Sequence, residues 1–281
     1  MKMSLRKLMD VDSRYLYLVM LVLVSLPVLK PLGLPMLPSP LSTKAYQFIE
    51  SLPAGSVVIL DGDMTAGYGT ELQTQFVAVL RHVLSRPLRT VIACFGSEGP
   101  LLVDMAFKGG VISGTPVDPK KYGAVYGKDY VFLGYIPGGE TGMLAFARDS
   151  WTTKVDAYGT PLAQLPIMEY CKSAKDWKLA VSFTGGNHEQ RIAQWNSAYG
   201  VSIIFGVPGV SAPRMYAFMA SGQVYSMLSS LGGAAEYELL TREIGLAAAL
   251  MDVLNLGQLM VVVCVVVSNI AYLIVRSRGE K

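Results

Sequence analysis

Five polar, glycine-bearing turns follow five apolar runs in this sequence, and they hold the side chains able to do chemistry. Asp61-Gly62-Asp63-Met64-Thr65 places two carboxylates on one turn. Gly96-Ser97-Glu98 offers a hydroxyl and an acid, and Pro137-Gly138-Gly139-Glu140 offers a glycine pair before a helix. Such a pair exposes backbone N–H groups that can hold an anion or an oxyanion. Thr184-Gly185-Gly186-Asn187-His188 ends on a histidine near a helix start, where the positive helix end lowers its pKa and makes it a candidate base or ligand donor. The fifth turn carries Pro208, Gly209 and Ser211. Each group also has a plain structural use: Asp61 and Asp63 as acceptors for loop amides, the glycine pair as a helix-opening turn, Ser97 as a helix cap.

The elements that must position these turns are read from periodicity. SVVILD, RTVIACF, DYVFLGY, LAVSFT and VSIIFG are apolar runs of strand length, buried on both sheet faces. Helices separate them. In TELQTQFVAVLRHVLSR, Leu72, Phe76, Val79, Leu80 and Val83 fall on one stripe, and His82 reads as surface. GPLLVDMAFK and residues 139–151 supply two more, and Asn187 with Gln190 reads as a capping box opening the helix after the fourth strand. Strand–helix alternation of this kind implies an α/β fold: a doubly wound, mainly parallel sheet of about five strands, flanked by N- and C-terminal transmembrane helices. Ligands of such sheets bind beyond the carboxyl ends of the strands, where the five turns lie. Residues 222–256 read as one long juxtamembrane helix, with Glu236 and Glu238 as solvated positions.

Composition places part of the chain in lipid. Hydrophobic residues make up 52% and charged residues 16%, and mean hydropathy is +0.39, against roughly 25% charged residues in soluble domains. The excess sits in two runs: Tyr15–Leu29, continued by a Pro-rich segment to residue 35, and residues 257–275. Lys2, Arg6, Lys7 and Arg14 precede the first, and Arg276, Arg278 and Lys281 follow the second. Basic ends stay in the cytoplasm. The expected topology is therefore a two-pass cell-membrane protein with cytoplasmic tails at 1–14 and 276–281. The first span or signal-anchor covers 15–35, a Pro-rich tether and short helix 36–55, and an extracytoplasmic domain 56–221. The net charge of +3 is a property of the tails, since residues 36–257 carry a net −2; nucleic acid is excluded as a partner on that ground. Two histidines and no C-x-x-C argue against a zinc site, and Cys94 and Cys171 read as buried thiols whose spacing demands no pairing. Gly232, Gly233, Ala234 and Ala235 form a small-residue seam suited to close helix approach, by a second copy or another membrane protein.

Three resemblances bear on function. VVILDGDMT resembles the first motif of haloacid-dehalogenase-type phosphotransferases. The resemblance implies Asp61 as nucleophile, Asp63 as acid and base, and Thr184 as a second-motif residue; Met64 stands where that family usually has glycine. YIPGGETG resembles the Pro-Gly-Gly turn of Clp-type and signal-peptide-peptidase-type serine proteases, which implies a serine nucleophile elsewhere, here Ser97 with His188 as base. Over most of its length, through YGKDYVFLGY and LGGAAEYELL, the chain resembles a family of uncharacterised prokaryotic membrane-anchored proteins with one α/β domain between two terminal spans. That family brings no activity. The expectation is a structural, scaffolding or interaction subunit of a membrane complex rather than an enzyme. Its ligand-binding candidates are Gly138, Gly139, Glu140, Thr184, Gly185 and Asn187, with no metal and the cofactor left open. The alternative is a membrane-anchored hydrolase through Asp61 and Asp63, or of serine type.

Overall fold

The computed structural model describes residues 12–110 and 112–277; most of the basic tail residues named above lie outside them. The chain divides into two compact units, one of them Met36–Ala247 and the other made of the two terminal segments.

The central unit is an α/β domain on a six-stranded, all-parallel sheet. In chain order it runs α2 (Pro40–Ser51), β1 (Val57–Asp61), α3 (Gly69–Ser85), β2 (Arg89–Cys94), α4 (Gly99–Lys108), β3 (Tyr130–Tyr135), α5 (Glu140–Arg148) and β4 (Trp177–Phe183). Then come α6 (His188–Arg191, continued by a π-helical turn Ile192–Ser197), β5 (Ser202–Val207), α7 (Ala212–Ala220), β6 (Ser226–Ser229) and α8 (Ser230–Thr241). The strand order is β3-β2-β1-β4-β5-β6. Alternate strand residues feed two cores. Val57, Ile59, Val91, Ala93, Ile203 and Phe205 face one with Phe146, Trp177 and Trp195; Val58, Leu60, Ile92, Val181 and Phe183 face the other with Phe76 and Leu80. Burial on both faces explains why the strands are continuous apolar runs without polar alternation.

Five local expectations give way. The sheet has a sixth strand, Ser226–Ser229, pairing parallel to β5 from Ile204↔Ser226 to Val207↔Ser229. It lies inside the stretch whose composition reads as one helix over 222–256. That stretch is broken twice, where Ser230 turns to φ +57° after the strand and where Arg242 takes φ +58° at the end of α8. Glu238 is buried and closes the second break, accepting from the N–H groups of Gly245 (2.9 Å) and Ala247 (3.2 Å). Glu236 accepts from the hydroxyls of Ser39 and Ser42, each at 2.6 Å, so neither acid is simply solvated. Gly233, Ala234 and Ala235 are buried within the domain, a Cβ on Gly233 standing 3.1 Å from the Leu228 backbone. Of the expected seam, Gly232 is partly open. His82 is buried rather than on the surface, its ring 2.7 Å from the Tyr237 hydroxyl and 2.8 Å from Glu50, stacked on Tyr46. α3 carries two buried faces because α8 covers the side that a single apolar stripe leaves to solvent. Asn187 takes a left-handed conformation (φ +56°) and its side chain caps nothing, so the expected capping box is not formed. Cys94 and Cys171 are both buried and free.

In the terminal unit, α1 (Ser13–Leu29) precedes an extended segment, and α9 (Leu246–Ser277) ends the described chain. α9 is long and apolar enough to cross a membrane, with a mean hydropathy of 2.4 and 11% of its apolar window buried; α1, with 17 residues, is shorter. Asp252 joins them, accepting from the N–H groups of Leu32 (2.8 Å), Gly33 (3.0 Å) and Leu34 (3.0 Å). Met20 lies against Gly257, where a Cβ would stand 3.2 Å from its Cε. The contacts at 20 with 257 and at 32–34 with 252 make the two segments antiparallel.

Phe76 is wholly buried on α3 and meets Phe183 edge to face at 5.3 Å between centroids. Phe76→Ala is expected to cost about 3–5 kcal/mol, the range for truncating a fully buried aromatic. Chemical unfolding of the purified full chain measures it, and a loss under 1 kcal/mol would mean that this helix does not pack as described.

Candidate functional site

The strand order reverses direction at β1: β2 lies on one side of it and β4 on the other. This is the switch point at which open parallel sheets leave a crevice beyond their strand ends. A cleft of about 360 Å³ opens there. Its floor is Asp63, Met64 and Thr65 after β1. One wall is Phe95, Gly96, Ser97 and Glu98 after β2, the other Thr184, Gly185, Gly186 and Asn187 after β4. Tyr68, Gly139 and Met143 complete it.

Under the floor lies a buried ionic cluster. Arg191, on the inward face of α6, is fully buried. Its Nε donates to Asp61 Oδ2, its Nη2 to Asp63 Oδ2 at 2.5 Å, and its Nη1 to the Asn187 carbonyl at 3.2 Å. Ser182 on β4 donates to Asp61 Oδ2 at 2.6 Å. Among the described residues, the second Asp61 oxygen, Oδ1, is buried without a hydrogen-bond partner. Burial pushes the Asp61 carboxyl above its ordinary value; Arg191 pulls it back and the charge of Asp63 adds to the rise. Burial works against the Arg191 charge, but the two carboxylates outweigh it and hold the guanidinium above its ordinary value. Cys94 lies close by, and burial first and then the two aspartates raise its thiol well above the usual range, so it stays protonated.

The residues singled out from the sequence divide into two sets. Asp63, Ser97, Gly139, Thr184, Gly185 and Asn187 line the cleft; Asp61, Gly138, Glu140 and His188 do not. Asp61 has no exposed surface, its Oδ2 held by Arg191 and Ser182. Attack on phosphorus requires an accessible carboxylate oxygen, which this arrangement withholds. His188 is buried with Nε2 3.3 Å from the Thr184 carbonyl and its ring edge against Phe205; Nδ1 has no partner among the described residues. The ring faces the interior, whereas Ser97 faces the cleft, and no hydrogen bond joins them among the described residues. Ser97 does not cap α4, whose start has no side-chain cap; Glu98 instead accepts from the Ala66 N–H at 2.7 Å. Glu140, at the start of α5, receives Gln190 and Gln194 at 3.5 Å. Gly138 (φ +104°) and Gly139 (φ +54°) make a turn that β-carbons would strain. Among the described residues no group of three or more metal-ligating side chains occurs.

Arg191 is the site residue that motif reading misses. The signal was periodicity: Arg191 shares the inward stripe of His188, Ile192 and Trp195, and a cation on a buried stripe requires an anionic partner. Gly96, named above as part of its turn, acts through the side chain it lacks. A Cβ there would stand 2.0 Å from Asp63 Oδ1, so glycine is what leaves this oxygen room beside the cleft.

The two histidines of the chain set a pH dependence. Burial lowers both: for His82 it outweighs the Glu50 contact, and for His188 the Thr184 carbonyl. Between the depressed folded values and the ordinary value of 6.5 the unfolded chain binds more protons. Their contribution is therefore fully present above pH 6.5 and falls as the pH drops below it. Asp61 acts with the opposite sign but is common to both proteins compared. Unfolding free energies of the wild type and of the double variant His82→Gln/His188→Gln, measured from pH 7.5 to 5, should diverge in slope below pH 6.5, the wild type being steeper. Parallel curves would show that the rings are not buried neutral.

Comparison with family models, with curated proteins and with solved structures found no match to this chain, so its function is read from the geometry described above.

Proposed function

We propose that this chain is a membrane-anchored binding subunit whose α/β domain takes a small polar ligand in the switch-point cleft, outside the cytoplasm, on behalf of a larger membrane complex. The observation that carries the reading is the cleft itself. It has ligand size, polar and glycine-rich walls, and an aspartate at its floor, while the one carboxylate expected to act as nucleophile is sealed beneath it. Such a site suits binding better than turnover.

Anchoring is supported by the apolar length of α9 and by the clasp of Asp252 on residues 32–34, which ties the segment after α1 to α9. The proposed topology is two-pass. α1 reaches bilayer length only with the extended residues that follow it, and the basic tails favour cytoplasmic ends. Association with other membrane proteins or with a second copy is part of the proposal. It does not run through Gly233, Ala234 and Ala235, which the domain itself uses.

Two measurements test this. Protease added outside intact cells expressing the full chain should cleave within 36–247 and spare a reporter fused after Lys281; a cleaved reporter with an intact domain would reverse the topology. Native mass spectrometry of the full chain should find a small molecule retained by the wild type and lost in Gly186→Trp. Gly186 lines the cleft and a Cβ there meets nothing within 4 Å, so the position has room to start a bulky side chain at the cleft wall. Equal retention by both would rule out the cleft as the binding site.

A further inference from the structure

The ionic cluster under the cleft is unbalanced, and the imbalance names a ligand class. Two buried carboxylates share one guanidinium, and both of their bonds to it use Oδ2. The remaining oxygens differ. Asp61 Oδ1 is enclosed. Asp63 is nine-tenths buried, yet it is the member of the cluster that borders the cleft, and its Oδ1 has no hydrogen-bond donor among the described residues. That oxygen stands over Gly96, itself part of the cleft wall, in the space a side chain there would occupy.

The rest of the lining adds no positive side chain. Glu98 contributes a second carboxylate, and Arg191 is sealed below and already committed to three acceptors. The exposed Tyr68 ring borders the same space, while the Phe95 ring packs inward on Phe146 and Trp195. The Tyr68 ring is brought over it by Gly185, where a Cβ would fall 2.6 Å from the ring. A carboxylate oxygen that lacks a donor and lies beside an aromatic ring favours an organic cation.

We propose that the cleft binds a small molecule through a primary ammonium group, with Asp63 Oδ1 as its counter-ion and the Tyr68 ring beside its charge. This rests on the ligand-binding reading above and specifies its chemistry. A neutral polyol satisfies the oxygen but not the charge. A metal ion is poorly served, since no three ligating side chains gather there among the described residues.

The test compares molecules of matched size. Full chain in lipid nanodiscs is titrated by calorimetry at pH 7.5 with putrescine and 1,4-butanediol, with ethanolamine and ethylene glycol, and with magnesium chloride alone. The same series is run on Asp63→Asn and on Gly186→Trp. Each amine should bind the wild type at least tenfold more tightly than its diol. Asp63→Asn should erase that preference, and Gly186→Trp should abolish amine binding. The wild-type ratio decides even if Asp63→Asn fails to fold. Diols binding as well as amines, no amine binding, magnesium excluding the amine, or a preference that survives Asp63→Asn would each overturn the ammonium assignment. If the wild type still retains a natural ligand that Gly186→Trp loses, only the chemistry assigned here falls; if neither holds, the ligand-binding reading falls with it.

Discussion

One guanidinium holding two carboxylates organises this domain. Arg191 reaches from the helix after β4 to the end of β1 and to the turn beyond it, and Ser182 ties the same Asp61 oxygen to β4. The two strands joined in this way are the pair between which the sheet changes direction. Burying three charges is costly, and it is tolerated when geometry and additional hydrogen bonds are good; breaking such a set by removing one partner costs about 3–5 kcal/mol. The cluster therefore closes the crevice from below, and the shape of the cleft follows from where Arg191 is anchored.

The packing on either side supports that anchor. α6 passes directly into a π-helical turn, and Trp195 on that turn sits with its ring 5.9 Å from the Arg191 guanidinium and against Phe95 and Trp177. Extra backbone width in a π turn is a frequent feature near functional sites. Here it lets one short helix carry both a large aromatic into the core and a cation under the cleft. The glycines at 96 and 185 do the complementary work, leaving space where Asp63 Oδ1 and the Tyr68 ring come close to the backbone.

Much of this was legible in the residues. Continuous apolar runs such as VVILD and VSIIFG specify strands buried on both faces, and the parallel α/β sheet follows. The turns after β1, β2 and β4 converge because neighbouring parallel strands end at the same edge of the sheet, and Asp63, Ser97 and Thr184 meet there. What escaped is tertiary. β6 has four residues, too few for any period, and its strand state comes from pairing with β5. Glu238 and His82 look like surface residues until α8 folds over α3. The small residues after Ser230 read as an outward seam, yet they are small because α8 must lie close to β6. Arg191 carried a readable sign, a charge on an inward stripe, but its partners stand more than a hundred positions earlier and no spacing rule connects them.

Arg191 couples the floor of the cleft to its β4 wall. Amide hydrogen exchange of the full chain, wild type against Arg191→Lys, measures that coupling. A lysine keeps the charge but cannot bond both carboxylates through a planar fork. Residues 61–68 and 184–197 should lose protection together while β5 and β6 keep theirs. Faster exchange confined to the helix around position 191, with 61–68 unchanged, would contradict that coupling.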